Sequence, residues 1–163
     1  SNILKNVFQQ KEQDCSVDVD SISLAMKNLA NTKSGALIVI SGSSQLPFIC
    51  ATGVSLNADI SAKLIESIFE KKSPIHDGAV IISSNKILAA GCTLTLSESQ
   101  NLPKRVGTRH RAAVGVSEHS DAMAFIVSEE TGKISVTENG NLELDITLSQ
   151  LKRRLNKAFT IVQ

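Results

Sequence analysis

The sequence predicts a single α/β domain built around a mixed β-sheet. With 163 residues, of which 42% are hydrophobic, the chain can bury one substantial core. Short apolar runs of strand length alternate with segments whose apolar residues recur at helical spacing. The sequence contains no internal repeat and no low-complexity tract. Interleaved elements of this kind predict helices packed against a sheet.

The N-terminal region predicts a lead-in segment followed by the first helix and strand. Residues 1–19 are polar and weakly patterned, and we interpret them as a helical or loose segment preceding a domain that spans 20–163. Asp20 is expected to cap a helix whose apolar residues follow the i, i+3, i+4, i+7, i+8 pattern. These residues are Ile22, Ala25, Met26, Leu29 and Ala30. Gly35 ends this segment, and the apolar run 36–40 predicts a strand buried on both faces.

The middle of the chain predicts a short strand and a second amphipathic helix. Turn residues at 42–45 precede a strand through 48–50. The helix is expected from about Asp59 until the Ser-Pro pair that ends at Pro74. Its buried stripe consists of Ile60, Leu64, Ile65, Ile68 and Phe69.

The remaining elements are two hairpins and two helices. The predicted strand pairs are 78–82 with 87–96, and 122–127 with 133–136. A helix beginning at Thr108 lies between the hairpins. Thr147 and Gln150 have capping-box spacing and open a final helix. Its apolar residues are Leu148, Leu151, Leu155 and Phe159.

The helix at Thr108 has an unusual first turn. Gly107 precedes a Thr that can cap, but Arg109, His110 and Arg111 follow where Asp or Glu would be favoured. Two guanidinium groups at a positive helix end are unfavourable unless an anion binds them. A polyphosphate would satisfy the backbone amides, the Thr hydroxyl and both arginines. A solvated basic turn is the simpler interpretation of an isolated Arg-x-Arg, but the Gly-Thr lead-in favours phosphate binding.

A second candidate site precedes the strand at 78–82. Asp77 is expected at the strand's end, where an open edge or cleft can receive its carboxylate. Gly78 and Ala79 carry almost no side chain, so a flat ligand could approach the main chain. An ordinary Asp-Gly turn is the better explanation when this pattern is taken alone, and its position just before a strand weakens that explanation only a little.

The hairpin tip at Ser128, Glu129 and Glu130 places two carboxylates side by side. Surface charge in a turn is the usual explanation. The functional alternative is a Mg²⁺ or Mn²⁺ site, because such a metal on a phosphate needs only one or two protein carboxylates. The three histidines lack the spacing of a catalytic zinc site.

Composition argues against several classes of function. A net charge of +1 provides no general field for nucleic acid, and the absence of Trp and Tyr disfavours base stacking. Neither a P-loop, a dinucleotide-binding glycine motif nor a nucleophile elbow occurs. Three separated cysteines without C-x-x-C spacing indicate a reducing compartment, with Cys50 and Cys92 as core residues.

The sequence shows neither a signal peptide nor an apolar run long enough to span a membrane. It begins at Ser rather than Met, which we interpret as a piece of a longer protein whose other part could include a membrane anchor.

Three motifs, taken in order, resemble the bacterial diadenylate cyclase domain. They are His76 to Ala79, Gly107 to Arg111 and Val127 to Glu130. The paired Asp-Gly-Ala and Arg-His-Arg motifs are that family's signature, and the resemblance runs from about Ile22 to the C-terminal helix. It implies a mixed, mostly antiparallel sheet surrounded by helices.

The resemblance also implies an activity. Two ATP molecules would be condensed into cyclic di-AMP with release of two pyrophosphates, assisted by Mn²⁺ or Mg²⁺. Each ribose 3′-OH would attack the partner's α-phosphate, so the active site would form where two copies of the domain meet face to face. Membrane-anchored relatives imply a cytoplasmic domain that an upstream segment could tether to the inner face of the membrane.

Site residues follow from the matching positions. The implied catalytic residues are Asp77, Arg109, His110 and Arg111, with Asp77 near the 3′-OH, activating it or placing the metal. The implied ATP-binding residues are Gly78, Ala79, Leu94, Gly107, Thr108, Arg109, His110, Arg111 and Ser128. The implied metal contacts are His76, Asp77 and Glu130, with Glu129 as a further candidate.

The chain departs from the family in the strand before the Arg-His-Arg helix. Many members carry a Tyr and a Pro there, whereas this chain reads Cys92-Thr93-Leu94-Thr95-Leu96. Thr93 cannot stack on adenine, and we therefore expect Leu94 to contact the purine. A catalytically silent ATP- or dinucleotide-binding domain of the same fold is the alternative. An RNA-binding module using 104–111 is a third, disfavoured by the charge and the few aromatic residues.

Overall fold

The computed structural model describes residues 2–161, which contain seven strands and five helices. In chain order they are α1 (Asn2–Asn31), β1 (Ala36–Ile40), α2 (Pro47–Cys50), β2 (Val54–Asp59), α3 (Ala62–Ile68), β3 (Ala79–Ser83), β4 (Lys86–Cys92), α4 (Thr108–Glu118), β5 (Met123–Val127), β6 (Ile134–Glu138), β7 (Asn141–Glu143) and α5 (Leu148–Thr160). Within these residues, no helix combines the length and apolar character needed to cross a membrane.

The seven strands form one mixed sheet in the order β2-β4-β3-β1-β5-β6-β7. β1 and β3 are parallel, and every other neighbouring pair is antiparallel. The predicted fold class, a mixed and mostly antiparallel sheet surrounded by helices, is therefore confirmed.

The strand register brings four strand ends together at one edge of the sheet. Ala36 at the start of β1 pairs with Val127 at the end of β5, and Ala79 at the start of β3 pairs with Cys92 at the end of β4. Because β1 and β3 are parallel, these two pairs lie side by side. Loops that enter β1 and β3 or leave β4 and β5 therefore converge on this edge.

The sheet is buried on both faces, because alternate residues of each strand point in opposite directions. In β1, Ile38 and Ile40 pack in the core cluster shared with α1, α3 and α5. Leu37 and Val39 pack on the opposite face, in a cluster that includes Ala112 and Ala113 of α4. This two-sided burial explains why the sequence of β1 is an unbroken apolar run.

α1 is longer than expected. The prediction that Asp20 caps a helix is wrong: Asp20 is an exposed residue inside the continuous helix Asn2–Asn31. Residues 9–13, Gln-Gln-Lys-Glu-Gln, are good helix formers, and the Gln10 side chain donates to the Asp14 carboxylate at 2.9 Å across one turn. Burial begins only at Asp18 and Val19, so the first part of the helix is largely exposed.

The strand predicted at 48–50 is instead the short helix α2. Leu46 adopts a left-handed conformation with φ 58°, and Pro47 occupies the first turn, where its ring suits a helix. Phe48 is 89% exposed, and Cys50 is half-buried on α2 rather than in a strand. Cys92 is buried in β4 as predicted.

Two edge strands, β2 and β7, were not predicted. The register of β2 with β4 shifts between Ser55 and Ala58, and Asn57 has φ 48°, so the regular alternation is interrupted.

β4 ends at Cys92, earlier than the expected 96. α3 begins after Ser61, whose hydroxyl accepts from the Leu64 amide at 3.0 Å.

α5 begins as the sequence predicts. Thr147 accepts from the Gln150 amide at 3.1 Å, and the Gln150 side chain accepts from the Thr147 amide at 2.8 Å. The capping box is therefore complete. Leu151 and Leu155 are buried against the sheet.

Candidate active site

A cavity of about 720 Å³ opens at the sheet edge where the four strand ends meet. It is lined by most of the residues that the sequence proposed for the site. Those residues are His76, Asp77, Gly78, Leu94, Gly107, Thr108, Arg109, His110, Ser128, Glu129 and Glu130. Segments far apart in the chain are thus brought together around one space.

Two of the proposed residues do not line this cavity. Ala79 is fully buried in β3, where it packs in the cluster beneath α4. Arg111 reaches away from the cavity, and its Nη1 donates to the Ser99 carbonyl at 3.2 Å. In the structure, Arg111 therefore supports the loop before α4.

Other lining residues were not identified as site residues from the sequence. They are Leu37, Gly91, Cys92, Thr93, Leu96, Arg105, Ala112 and Val127. Arg105 belongs to a basic stretch of the sequence, 104–111, which was a usable signal. Leu37 and Val127 lie in uniformly apolar strands, where nothing in the sequence distinguishes a cavity residue from a core residue.

The start of α4 differs in one detail from the prediction. Gly107 is the N-cap, with an extended backbone at φ −99° and ψ −161°, and Thr108 is the first helical residue. The prediction that Thr108 caps the helix is therefore wrong, since Gly107 takes the extended conformation one residue earlier. Among the residues that the structure describes, no side chain caps this helix start. Its first amides and the Thr108 hydroxyl remain available to an anion in the cavity.

Arg109 is held at the cavity wall with one donor unused. Its Nη1 lies 3.4 Å from Glu129 Oε2, and its side chain is 20% exposed. Its Nε is buried and has no hydrogen-bond partner among the described residues. A buried unpaired donor is unfavourable. This arrangement therefore favours a ligand that brings acceptor oxygens.

His110 is buried beside these charges. Burial lowers the pKa of its imidazole, and the neighbouring Asp145 carboxylate partly opposes that effect. Arg105 and Arg109 lower the pKa further, whereas Glu130 raises it. The neutral imidazole is thus favoured at neutral pH, and it can offer a hydrogen-bond donor or acceptor but little positive charge.

Asp77 is placed at the cavity by the glycine that follows it. Gly78 has φ +100°, and a Cβ there would lie 2.6 Å from the Cys92 carbonyl oxygen. Both the backbone conformation and the close approach to β4 therefore require glycine. Asp77, which precedes it, is exposed and lines the cavity.

His76 and Ser128 have defined orientations. His76 Nδ1 lies 2.7 Å from the Ser73 carbonyl oxygen, which can only accept, so Nδ1 carries the proton. The Nε2 of a neutral ring therefore keeps its lone pair. Ser128 Oγ accepts from the Glu130 and Thr131 amides, both at 3.2 Å, and this fixes the hairpin tip.

The donors at the cavity suit a metal that is shared with a phosphate. An imidazole and three carboxylates line the same space, on His76, Asp77, Glu129 and Glu130. Across residues 2–161, no group of three or more such side chains is close enough to enclose an ion. Mg²⁺ and Mn²⁺ commonly take one or two protein carboxylates and complete their shell with phosphate and water oxygens. The donor set fits that arrangement.

Sequence comparison connects this site to known proteins. The model of the "DisA bacterial checkpoint controller nucleotide-binding" (DAC) family matches residues 23–142. The cyclic di-AMP synthase CdaA of Bacillus subtilis is 45% identical over 86% of this chain and 52% of the relative. A diadenylate cyclase of Listeria monocytogenes is 42% identical over 88% of this chain and 53% of the relative. The chain thus spans about half the length of these curated relatives.

Two further comparisons agree with these. A diadenylate cyclase of Mycoplasma genitalium is 37% identical over 92% of this chain and 74% of the relative. A crystal structure of a double mutant of DacA from Staphylococcus aureus superimposes with a TM-score of 0.89 at 42% identity, covering 91% of this chain and 99% of that one. The motifs, the fold and these relatives agree: the chain belongs to the diadenylate cyclase (DAC) domain family.

Proposed function

We propose that this domain condenses two ATP molecules into cyclic di-AMP and two pyrophosphates. The observation that carries the proposal is the meeting, in one cavity, of the uncapped α4 start, the Arg109 side chain and the Asp77 carboxylate. The first two suit a triphosphate, and the third can accept a proton from a ribose hydroxyl. The names of the curated relatives support the same reaction.

ATP would lie with its triphosphate at the start of α4. Thr108, Arg109 and the amides that follow Gly107 would bind phosphate oxygens, and the Ser128 hydroxyl can still donate one further hydrogen bond. The neutral His110 would contribute a hydrogen bond rather than a charge. The purine would lie at the apolar end of the cavity, against Leu94, with the backbone of Gly78 at its edge.

In the chemical step, a bond forms between a ribose 3′-oxygen and the α-phosphorus of the other ATP. The bond from that phosphorus to the bridging oxygen breaks, and pyrophosphate leaves. Asp77 would accept the 3′-OH proton, or orient the hydroxyl as that proton leaves. Arg109 would stabilise charge on the phosphates. A divalent metal, held by His76, Asp77 and Glu130 with Glu129 as an alternative, would supply further neutralisation of phosphate charge.

The reaction needs two copies of the chain. Each 3′-OH must reach an α-phosphate bound to the other domain, and a two-fold arrangement lets one set of residues serve both attacks. The cavity opens at the sheet edge, so two such edges can face each other. We therefore propose a face-to-face homodimer as the active form.

We also propose that the domain works in the cytoplasm, where ATP is available, and that an adjoining segment tethers it to the membrane. A crystal structure titled "hypothetical membrane spanning protein" from Bacillus cereus is similar, with a TM-score of 0.75 and 44% identity over 78% of this chain. Fractionation of cells that express the full-length protein tests the tether. Recovery entirely in the soluble fraction would contradict it.

The decisive experiment is anion-exchange analysis of products after incubation with ATP and Mn²⁺ at several protein concentrations. We expect cyclic di-AMP and pyrophosphate in a 1:2 ratio, with a specific activity that rises with protein concentration. Mg²⁺ and metal-free incubations show whether the metal is needed. Unconsumed ATP under every metal, combined with ATP-dependent thermal stabilisation, would instead identify a silent ATP-binding domain of the same fold.

A further inference from the structure

We propose that Arg105 is the second arginine that binds the phosphates of ATP, in the place that the sequence suggests for Arg111. The inference deepens the proposed function and rests on it for the identity of the ligand. It assigns a binding role to a residue outside the Gly-Thr-Arg-His-Arg motif.

The lining of the cavity supports Arg105 first. Within residues 2–161, the Lys and Arg side chains that line it are Arg105 and Arg109. Arg111 is directed to the Ser99 carbonyl, and the buried His110 favours its neutral form. A triphosphate carries several negative charges, and Arg109 alone would leave most of them without a cationic partner from α4. Within residues 2–161, Arg105 is the other Lys or Arg side chain in the cavity lining.

The position of Arg105 also suits this role. It lies in a turn in which the Val106 amide donates to the Pro103 carbonyl at 3.2 Å, directly before the N-cap Gly107. Val106 is buried and anchors this turn, whereas the Arg105 side chain is 62% exposed. The backbone is therefore held at the positive end of α4, while the guanidinium can change its partner.

The present ion pair of Arg105 is weak enough to be replaced. Arg105 Nη2 lies 3.5 Å from Asp145 Oδ2, longer than a strong charge-assisted hydrogen bond. The Arg105 and Asp145 side chains are 62% and 35% exposed, and ion pairs in contact with solvent contribute little. Arg109 shows the same arrangement with Glu129 at 3.4 Å. Both arginines are thus held at the cavity by long carboxylate contacts that a phosphate could replace.

The test uses 3′-deoxy-ATP with Mg²⁺, because this analogue keeps the base and the triphosphate but lacks the attacking hydroxyl. Its dissociation constant is measured by titration calorimetry for the wild type, Arg105→Ala and Lys104→Ala. Lys104 is the matched control, since it is the exposed neighbouring cation and does not line the cavity. We expect Arg105→Ala to raise the dissociation constant roughly three- to tenfold, a loss discounted for exposure, and Lys104→Ala to leave it nearly unchanged.

Asp145→Asn separates binding from loop support. Asp145 has φ 57°, a conformation that Asn tolerates, so the backbone is preserved. If Arg105 exchanges Asp145 for phosphate, removing the carboxylate leaves binding equal or tighter. Equal weakening in Arg105→Ala and Asp145→Asn would show that the pair only supports the loop, and would overturn the inference. So would equal dissociation constants for Arg105→Ala and Lys104→Ala.

The outcome is independent of turnover. A wild type that produces cyclic di-AMP, with unchanged affinity in Arg105→Ala, would reject the role of Arg105 and leave the proposed function intact. A wild type that binds 3′-deoxy-ATP but forms no product from ATP would reject the proposed function, while the affinity comparison would still decide the role of Arg105.

Discussion

The guanidinium of Arg109 lies directly against the α-carbon of Gly35. A Cβ built on Gly35 would be 2.5 Å from Arg109 Nη1 and 2.6 Å from its Cζ. Gly35 precedes β1 and does not line the cavity. Its backbone lies outside the positive-φ region, so glycine is required here for space rather than for conformation. The position of Arg109, which we propose as a phosphate-binding residue, therefore depends on the missing side chain of a residue outside the cavity lining.

We expect Gly35→Ala to weaken nucleotide binding without unfolding the domain. The added methyl must displace the flexible Arg109 side chain, so affinity for 3′-deoxy-ATP should fall while the melting temperature changes little. Arg109→Ala alone should lose about 1.5–3 kcal/mol of binding free energy, as expected for a hydrogen bond to a charged group. In the Arg109→Ala background, Gly35→Ala should add almost nothing. Additive losses would mean that Gly35 acts by another route.

Asp77→Asn should separate binding from chemistry. The amide keeps the shape of the carboxylate but cannot accept the 3′-OH proton, so turnover should fall by roughly 10²–10⁴-fold. Affinity for 3′-deoxy-ATP measured without divalent metal should stay close to that of the wild type, and the melting temperature should be preserved because Asp77 is exposed. Quantifying cyclic di-AMP under saturating ATP gives the first value. Turnover within a few-fold of wild type would remove Asp77 from the catalytic mechanism.

Thr52 should position the segment that we propose to contact the base. Its hydroxyl donates to the Ile49 carbonyl at 2.6 Å and accepts from the Thr93 amide at 2.8 Å. It thereby ties α2 to the residue beside Leu94 in the cavity wall. Thr52→Val removes both bonds at nearly constant shape, and we expect KM for ATP to rise about fivefold, from a loss of about 1 kcal/mol, with kcat little changed.

Thr52→Ser is the matched control, because it keeps the hydroxyl and should restore KM. If Ser and Val behave alike, the hydroxyl does not position the Thr93 segment. A parallel fall in kcat with unchanged KM would likewise argue against positioning of the base.

Asp18 should make stability depend on pH in a defined direction. Burial, followed by the Asp14 and Asp59 carboxylates, raises the pKa of Asp18 from 3.8 to about 6. Its Oδ2 is buried without a hydrogen-bond partner among the described residues. Because the pKa is higher in the folded state, the contribution of Asp18 to the free energy of unfolding is complete below pH 3.8. It is lost as the pH rises through about 6.

Asp18→Asn should therefore raise the free energy of unfolding at pH 7.5 by about 1–3 kcal/mol, and the gain should disappear near pH 4. Urea denaturation of both proteins at the two pH values measures this difference. Asp20→Asn is the control, since Asp20 lies two residues further along α1 but is exposed and 3.6 Å from Lys152 Nζ. A gain that is equal at both pH values would show that the charge of Asp18 is not its cause.

Local chemistry in the sequence predicted the parts of the site that depend on neighbouring residues. Asp77 just before a strand and a helix that begins at Thr108 are both examples. The fold class followed from the interleaved patterns. Arg111 lies outside the cavity lining for a geometric reason. Residues two apart on a helix point about 200° apart, so Arg111 and Arg109 do not share a face of α4.

The residues that escaped prediction depend on tertiary context. Arg105 was part of a basic stretch, but only the folded structure shows that it lines the cavity. Residues 48–50 were predicted as a strand because Phe48 and Ile49 have high β-propensity. They form part of the helix α2 because Pro47 and the left-handed Leu46 outweigh that propensity. The edge strands β2 and β7 are short or irregular, and their pairing partners define them more than their own residues do.

The pairing of Ala36 with Val127 joins segments from opposite halves of the chain, and it closes the edge on which the cavity lies. None of the hairpins or helices contains the site by itself. A partly folded chain that has formed only its local contacts would thus have no nucleotide affinity. The long-range pairings that complete the site form slowly. ATP should act as a selective ligand of the completed fold, and a cell with abundant ATP would hold newly made copies in that state.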